Sequence, residues 1–403
     1  MDGPKVTMEA AQPMWTARDR TQTKLPIFPD MPLGAIKAPS NEYLWFGPGS
    51  MGKRETEGTY VFHGSLSSFQ PCDFPQPTMH TGSIQPSPDG NDFDRDYAGG
   101  GPVYCVAPNG ALTGVFDGHA PIIVLYHGEY HFFGTKLGQF GGSGLAISRN
   151  GGRTFSKLGA ILLPHEPKEQ CGEEHRNAYA DGSLVEADEA GNPIEERGKR
   201  DGNQLENRNS TNIRSKETDS RERREPEVYW YAIYTDPLGI KGRAGFSVAR
   251  VKRSDAIAAL KRNQSPQFNK YFEGKWTESG VGGNSSPVVL EPDHYIATPQ
   301  VHYSQYLRKF VLVYQQDQNS VWLRTSSNLI DWSQPTLLHR VAAVDEATGV
   351  KKKLFYPSIV GFGNDPLDIG QRFYLYFVTG PVSEQMNVWK SGALLHKVVT
   401  FAD

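Results

Sequence analysis

Short alternating and continuous apolar runs dominate the chain, and nearly all of them have strand length. Helical periodicity shows at one place, Ser254 to Arg262, where Ser254 is positioned to cap a turn carrying Ala256, Ile257, Ala258, Ala259 and Leu260. Elsewhere, runs of four to eight apolar or aromatic residues end in Gly, Asn or Pro, the punctuation of strands and tight turns.

Four segments repeat one order: a polar or aromatic residue, a small residue or proline, an apolar strand, a turn and a second aromatic-rich strand. They open at Asp117, Tyr179, Ile296 and Phe355. Their second strands run over Tyr130 to Phe133, Val228 to Tyr234, Lys309 to Tyr314 and Arg372 to Phe377. In the first, the turn is read at His127-Gly128. A strand–turn–strand unit recurring at roughly even spacing is the pattern of a β-propeller. Strand-like pieces between residues 40 and 106 supply one more unit. The expected fold is therefore all-β, a five-bladed β-propeller over residues 40–403, with residues 1–39 as an N-terminal extension.

One segment does not fit a blade. Residues 188–227 hold 11 acidic and 9 basic side chains and no aromatic. Such a stretch buries too little apolar surface to fold alone. It reads as a long charged insertion in a hairpin, because the residues on either side both look like strands lacking a neighbour.

Composition agrees and excludes several classes. Gly (42) and Pro (28) are frequent, as many turns require, and the net charge of −3 gives no field for nucleic acid or an anionic membrane. No apolar run approaches the roughly 20 residues of a membrane span. The first 30 residues lack an apolar signal core, so the expectation is a cytosolic protein or one whose leader has been removed. Cys72, Cys105 and Cys171 lie far apart without metal-ligand spacing; either one disulfide and a free thiol or three free thiols would fit. No cofactor is expected. A calcium on the channel axis has no dense ligand cluster to support it. The chain reads as a monomer with a small-molecule or carbohydrate ligand.

Two turn signatures carry a family resemblance. Ser326-Ser-Asn328-Leu-Ile-Asp331-Trp332 resembles the Ser-X-Asp-Leu-X-X-Trp strand end of five-bladed propeller glycoside hydrolases, the arabinanase/β-xylosidase and invertase/levansucrase clans, with Asn for Asp. Ser148-Arg-Asn150-Gly-Gly152-Arg-Thr154-Phe155 resembles the Asp-box of sialidases, again with Asn for Asp. In the propeller hydrolases the inner strands begin around one mouth of the channel. There one blade supplies an Asp base or nucleophile, the next an Asp that tunes it, and a third a Glu acid. The resemblance assigns the first place to Asp117 and the second to Asp181. The third blade reads Ala297-Thr298-Pro299-Gln300 and has no acid in frame, leaving Glu174 and Glu291 as candidate donors. Paired carboxylates suit glycoside cleavage because one protonates the leaving oxygen while the other activates water or attacks.

His119, Gln300, His302, Tyr356, Ser358 and Trp230 complete the expected lining. Each has a plainer reading, as an Asx turn for Asp117 and Asp181, a hydrogen-bonded structural histidine, or an aromatic packed between blades. Two functions follow: an enzyme cleaving or transferring a sugar, or a propeller that binds a small molecule or glycan without hydrolysing it. A biosynthetic enzyme that positions a reactive substrate in an aromatic pocket belongs with the second.

Overall fold

The computed structural model describes residues 2–71, 76–132, 139–170, 176–178, 180–194, 226–237, 244–342, 344, 349–382 and 391–402. Five mainly antiparallel sheets follow one another along the chain and form the blades of a propeller. Blade one runs from Gly34–Lys37 through Tyr43–Gly49 and Gly58–Gly64 to Phe69–Pro71. Blade two runs from Val103–Val106 through Ile122–His131 and Gln139–Ser148 to Ser156–Leu162. Blade three is built on Ala180–Asp188, Val228–Asp236, Gly245–Lys252 and Asn269–Phe272. Blade four contains Ile296–Ser304, Lys309–Gln316, Ser320–Ser326 and Thr336–Arg340. Blade five contains Lys351–Gly361, Arg372–Val382 and Ala393–Phe401.

The ring is closed by packing. Strands in a blade are covered on both faces, so side chains alternate between two neighbouring blades rather than between core and water. In Val228–Asp236, Trp230, Ala232 and Tyr234 pack with Ile123 and Leu145 of blade two. Tyr229, Tyr231 and Ile233 pack with Phe310 and Tyr314 of blade four. The other junctions have their own apolar clusters: Ile36, Phe46, Val103 and Ile122 between blades one and two, Val311, Leu323, Leu375 and Val399 between four and five, and Trp15, Phe28, Trp45 and Tyr376 between five and one.

Hydrogen bonds join inner strands near the axis. Ser358 Oγ accepts from the Leu33 amide at 2.7 Å, across blades five and one. Tyr104 Oη accepts from the Leu184 amide at 2.6 Å, across two and three. Ser183 Oγ accepts from the Val301 amide at 2.8 Å, across three and four.

Several expectations need correction. Residues 1–39 are not an extension outside the propeller. Val6–Met8 and Gln12–Trp15 pair with the last strand, Ala393–Phe401, and complete blade five, while Gly34–Lys37 is the innermost strand of blade one. The unit expected at Asp117 is also displaced. His127-Gly128 makes no turn; Ile122–His131 is one continuous strand, second in blade two, with Val103–Val106 inside it. Gly128 is required there by contact: a Cβ on it would lie 2.6 Å from Phe93, whose ring stacks on Tyr126. The helix spans Arg253–Lys261 with Lys252 at its N-cap, so Ser254 falls inside the first turn and does not cap it.

The charged insertion leaves from Asp188 and returns at Val228, two residues paired directly across the hairpin. Residues 195–225 of it lie outside the described residues. Both turn signatures form as read. Ser148 Oγ accepts from the Gly152 amide at 2.9 Å, Asn150 Oδ1 accepts from Thr154 at 3.0 Å, and Phe155 is buried. Ser326 Oγ accepts from Leu329 at 2.9 Å, and Asn328 Oδ1 from Asp331 at 2.8 Å. Cys105 is a buried free thiol, while Cys72 and Cys171 lie outside the described residues.

Candidate functional site

The inner strands of blades three, four and five each carry a bulge. The ladder skips between Ala180 and Gly182, between Ala297 and Gln300, and between Phe355 and Ser358. The residues thrown out of register are Asp181, Thr298 and Tyr356, with left-handed φ of 37°, 57° and 58°. For residues other than glycine this conformation costs of order 1–3 kcal/mol and persists only where the surroundings impose it. Neighbouring blades impose it here: the Thr298 amide donates to Thr235 Oγ1 at 3.1 Å, and the Tyr356 amide to Gln315 Oε1 at 3.3 Å. A bulge re-aims its side chain, and three in succession around one end of the axis mark that end as the built face of the molecule.

Three carboxylates meet there. Asp30, four residues before the inner strand of blade one, accepts a hydrogen bond from Tyr356 Oη on Oδ1 at 3.3 Å. Its carbonyl faces Tyr97 Oη at 3.4 Å, and its amide donates to Pro48 at 2.9 Å. Glu129, near the end of Ile122–His131, lies between two histidines spaced two residues either side on the same strand face. His127 Nε2 is 3.2 Å from Oε1 and His131 Nε2 is 2.5 Å from Oε2.

Asp181 completes the set. Burial, the largest cause, raises its carboxyl to about 6, with Glu129 adding to the rise and His127 opposing it. Tyr97 ties the group together: burial drives its hydroxyl well above the usual range, and the charges of Asp30, Tyr356, Glu129 and Asp181 all push it further. Blades one, two, three and five thus contribute ionisable groups to one mouth, and blade four contributes Thr298. The chemistry available is proton donation from a carboxyl that is largely protonated below pH 6, with Glu129 beside it and Asp30 on the far side of Tyr97.

The residues expected from sequence divide sharply. Asp181 and Tyr356 lie at the mouth. Asp117 and His119 are exposed at the opposite end of blade two, where Asp117 Oδ1 accepts from the amides of His119 at 2.8 Å and Ala120 at 2.6 Å. Asp117 therefore makes an Asx turn, and those amides hold its carboxyl below the usual range. Trp230 is fully buried between blades two and three, with its indole N–H 3.3 Å from Glu186. Ser358 is spent on the blade junction described above. Gln300 is buried and donates to the Pro299 carbonyl at 3.1 Å. His302 lies in the channel with Nδ1 3.0 Å from the Leu367 carbonyl, beside Tyr104, Ile359 and Leu367. Glu291 is ion-paired with Arg324 and accepts from Tyr314 Oη at 3.2 Å among the outer strands of blade four. Glu174 lies outside the described residues.

Asp30, Tyr97, His127 and Glu129 were not expected from sequence. The signal for the last two was alternation, His-Gly-Glu-Tyr-His, hidden by reading a turn at Gly128. Among the described residues, no group of three or more His, Cys, Asp or Glu is placed to hold a metal ion.

No protein-family model matches the chain, and no curated protein matches it in sequence. Among solved structures it is similar to the catalytic domain of the GH62 α-L-arabinofuranosidase of Coprinopsis cinerea, at 9% identity and a TM-score of 0.48, over 100% of this chain and 98% of that one. It is similar to the Podospora anserina α-L-arabinofuranosidase solved with cellotriose, at 8% identity and 0.48, over 99% and 97% of the two chains. It is also similar to the Bacteroides thetaiotaomicron endo-arabinase, at 12% identity and 0.45, over 97% and 98%. The propeller itself is established by the five sheets and the five inter-blade cores.

Proposed function

We propose that the mouth is an acid–base site that cleaves a glycosidic bond. Asp181 is the proton donor and Asp30 the opposing carboxylate. The observation that carries this reading is Asp181, a carboxyl raised to about 6 beside Glu129 at the built end of the channel, with Tyr97 lying between it and Asp30. A general acid must hold its proton near working pH, and burial with a neighbouring negative charge is the usual way to arrange it.

In this mechanism Asp181 gives its proton to the leaving oxygen as the carbon–oxygen bond breaks. Asp30 either takes a proton from the water that adds to the sugar carbon or attacks that carbon itself. Glu129, flanked by His127 and His131, supplies the nearby negative charge that favours the protonated form of Asp181. The sugar would enter over Tyr97 and Tyr356, whose half-buried or buried rings flank Asp30.

The experiment is turnover of aryl arabinofuranosides, xylosides and mannosides by the protein and by Asp30→Asn and Asp181→Asn. Each variant is expected to lose at least about 10²-fold in kcat while remaining folded. Full turnover by either variant removes that residue from the mechanism. One observation favours a second reading, binding without cleavage: the blade-four bulge offers Thr298, with no acid in that frame. That reading predicts calorimetric binding of a sugar from the same panel with no turnover by the wild type.

A further inference from the structure

Tyr356 was expected from sequence among the residues lining the ligand site, and its contacts give it a further task. Its ring packs at 5.6 Å from Phe355 and joins the apolar cluster between blades five and one. Its hydroxyl reaches across that junction to Asp30 Oδ1 at 3.3 Å. Its backbone is held left-handed by Gln315 of blade four, so two neighbouring blades fix where the hydroxyl points.

We propose that Tyr356 is a positioning residue for Asp30: its hydroxyl, delivered from blade five, fixes one carboxylate oxygen of the group that opposes the acid. This inference rests on the role proposed above for Asp30. A carboxylate at the end of a short side chain rotates freely unless an oxygen is held, and a misoriented base loses rate rather than affinity. A donated O–H also favours the charged carboxylate, which a base requires. Among the groups facing Asp30 are Tyr97 from blade two and Tyr356 from blade five. Glu129, His127 and Asp181 complete the charged surroundings of the mouth.

Tyr356→Phe removes the hydroxyl and keeps the ring that packs, so the fold should survive. With a turned-over glycoside, kcat is expected to fall about 10-fold with KM changed less than twofold. The acidic limb of kcat/KM should move up by about 0.5–1 pH unit. Independently of turnover, the Asp30 carboxyl carbon, assigned by its absence in Asp30→Asn, is titrated by ¹³C NMR in both backgrounds. Its midpoint is expected to rise by the same amount in Tyr356→Phe. A midpoint unmoved in the folded variant overturns the inference whatever the activity. A moved midpoint with full turnover by Asp30→Asn keeps the contact but removes Asp30 as base, and with it the positioning role.

Discussion

A carboxyl whose folded pKa is about 6 makes the protein pay for its charge, and the sign of that effect is testable. In the unfolded chain Asp181 titrates near 3.9, so between pH 4 and 6 the folded state binds more protons. Its contribution to stability is fully present below pH ~4 and is lost as pH rises through 6. Asp181→Asn carries no charge at any pH. Its urea-unfolding stability relative to wild type is therefore expected to improve by up to about 3 kcal/mol between pH 4 and pH 8. If the difference is flat across that range, the carboxyl is not raised. Rate should follow the same titration, with kcat/KM falling above pH 6 as the donor loses its proton. Asp181 was legible because Asp-Gly stands directly before an apolar run. Asp30 was not: it stands in a Pro-rich stretch before a strand of only four residues, Gly-Ala-Ile-Lys over Gly34–Lys37, too short to carry a clear strand signal.

At the scale of elements, the turns were easier to read than the strands they join. Asn328 holds its turn through amides of Ile330 at 3.1 Å and Asp331 at 2.8 Å, local bonds that depend on sequence spacing alone. Asn328→Ala should cost about 1–2 kcal/mol in thermal or chemical unfolding, and an unchanged midpoint would show that the turn is held by Ser326 alone. Gly128 is the opposite case. Its role depends on Phe93, 35 positions earlier, and no local pattern reveals that. Gly128→Val should destabilise by about 1–3 kcal/mol through overpacking against Phe93, and it should also disturb the His127–Glu129–His131 row that continues the strand. If the substitution left stability untouched, strand and ring would not be as close as described. Misreading this glycine as a turn also put Asp117 at the wrong end of its blade, because one false turn reverses the direction of everything before it.

For the whole molecule, the five-blade count was legible from repeat spacing, while the residues that close the ring were not. Pairing between residues 6–15 and 393–401 has no local signature. Trp15 is its apolar anchor, 3% exposed, with ring centroids of Phe69, Phe62 and Phe28 at 5.1, 5.5 and 5.6 Å. Trp15→Ala is expected to cost about 3–5 kcal/mol by calorimetry or denaturant. Phe28 stands two residues before Asp30, so activity should fall with stability even though Trp15 touches no substrate. A variant as stable as wild type would mean that the N-terminal strands merely decorate blade five.

That closure has a consequence for how the protein is made. Val6–Met8 and Gln12–Trp15 find their partner only when Ala393–Phe401 has been synthesised. Until then the nascent chain carries an exposed tryptophan and an open sheet edge, the features that invite chaperones or aggregation. Tyr356 and Asp30, brought together across the same seam, belong to opposite ends of that wait. Completion of the mouth should therefore wait for the synthesis of Ala393–Phe401, lagging behind the burial of the middle blades.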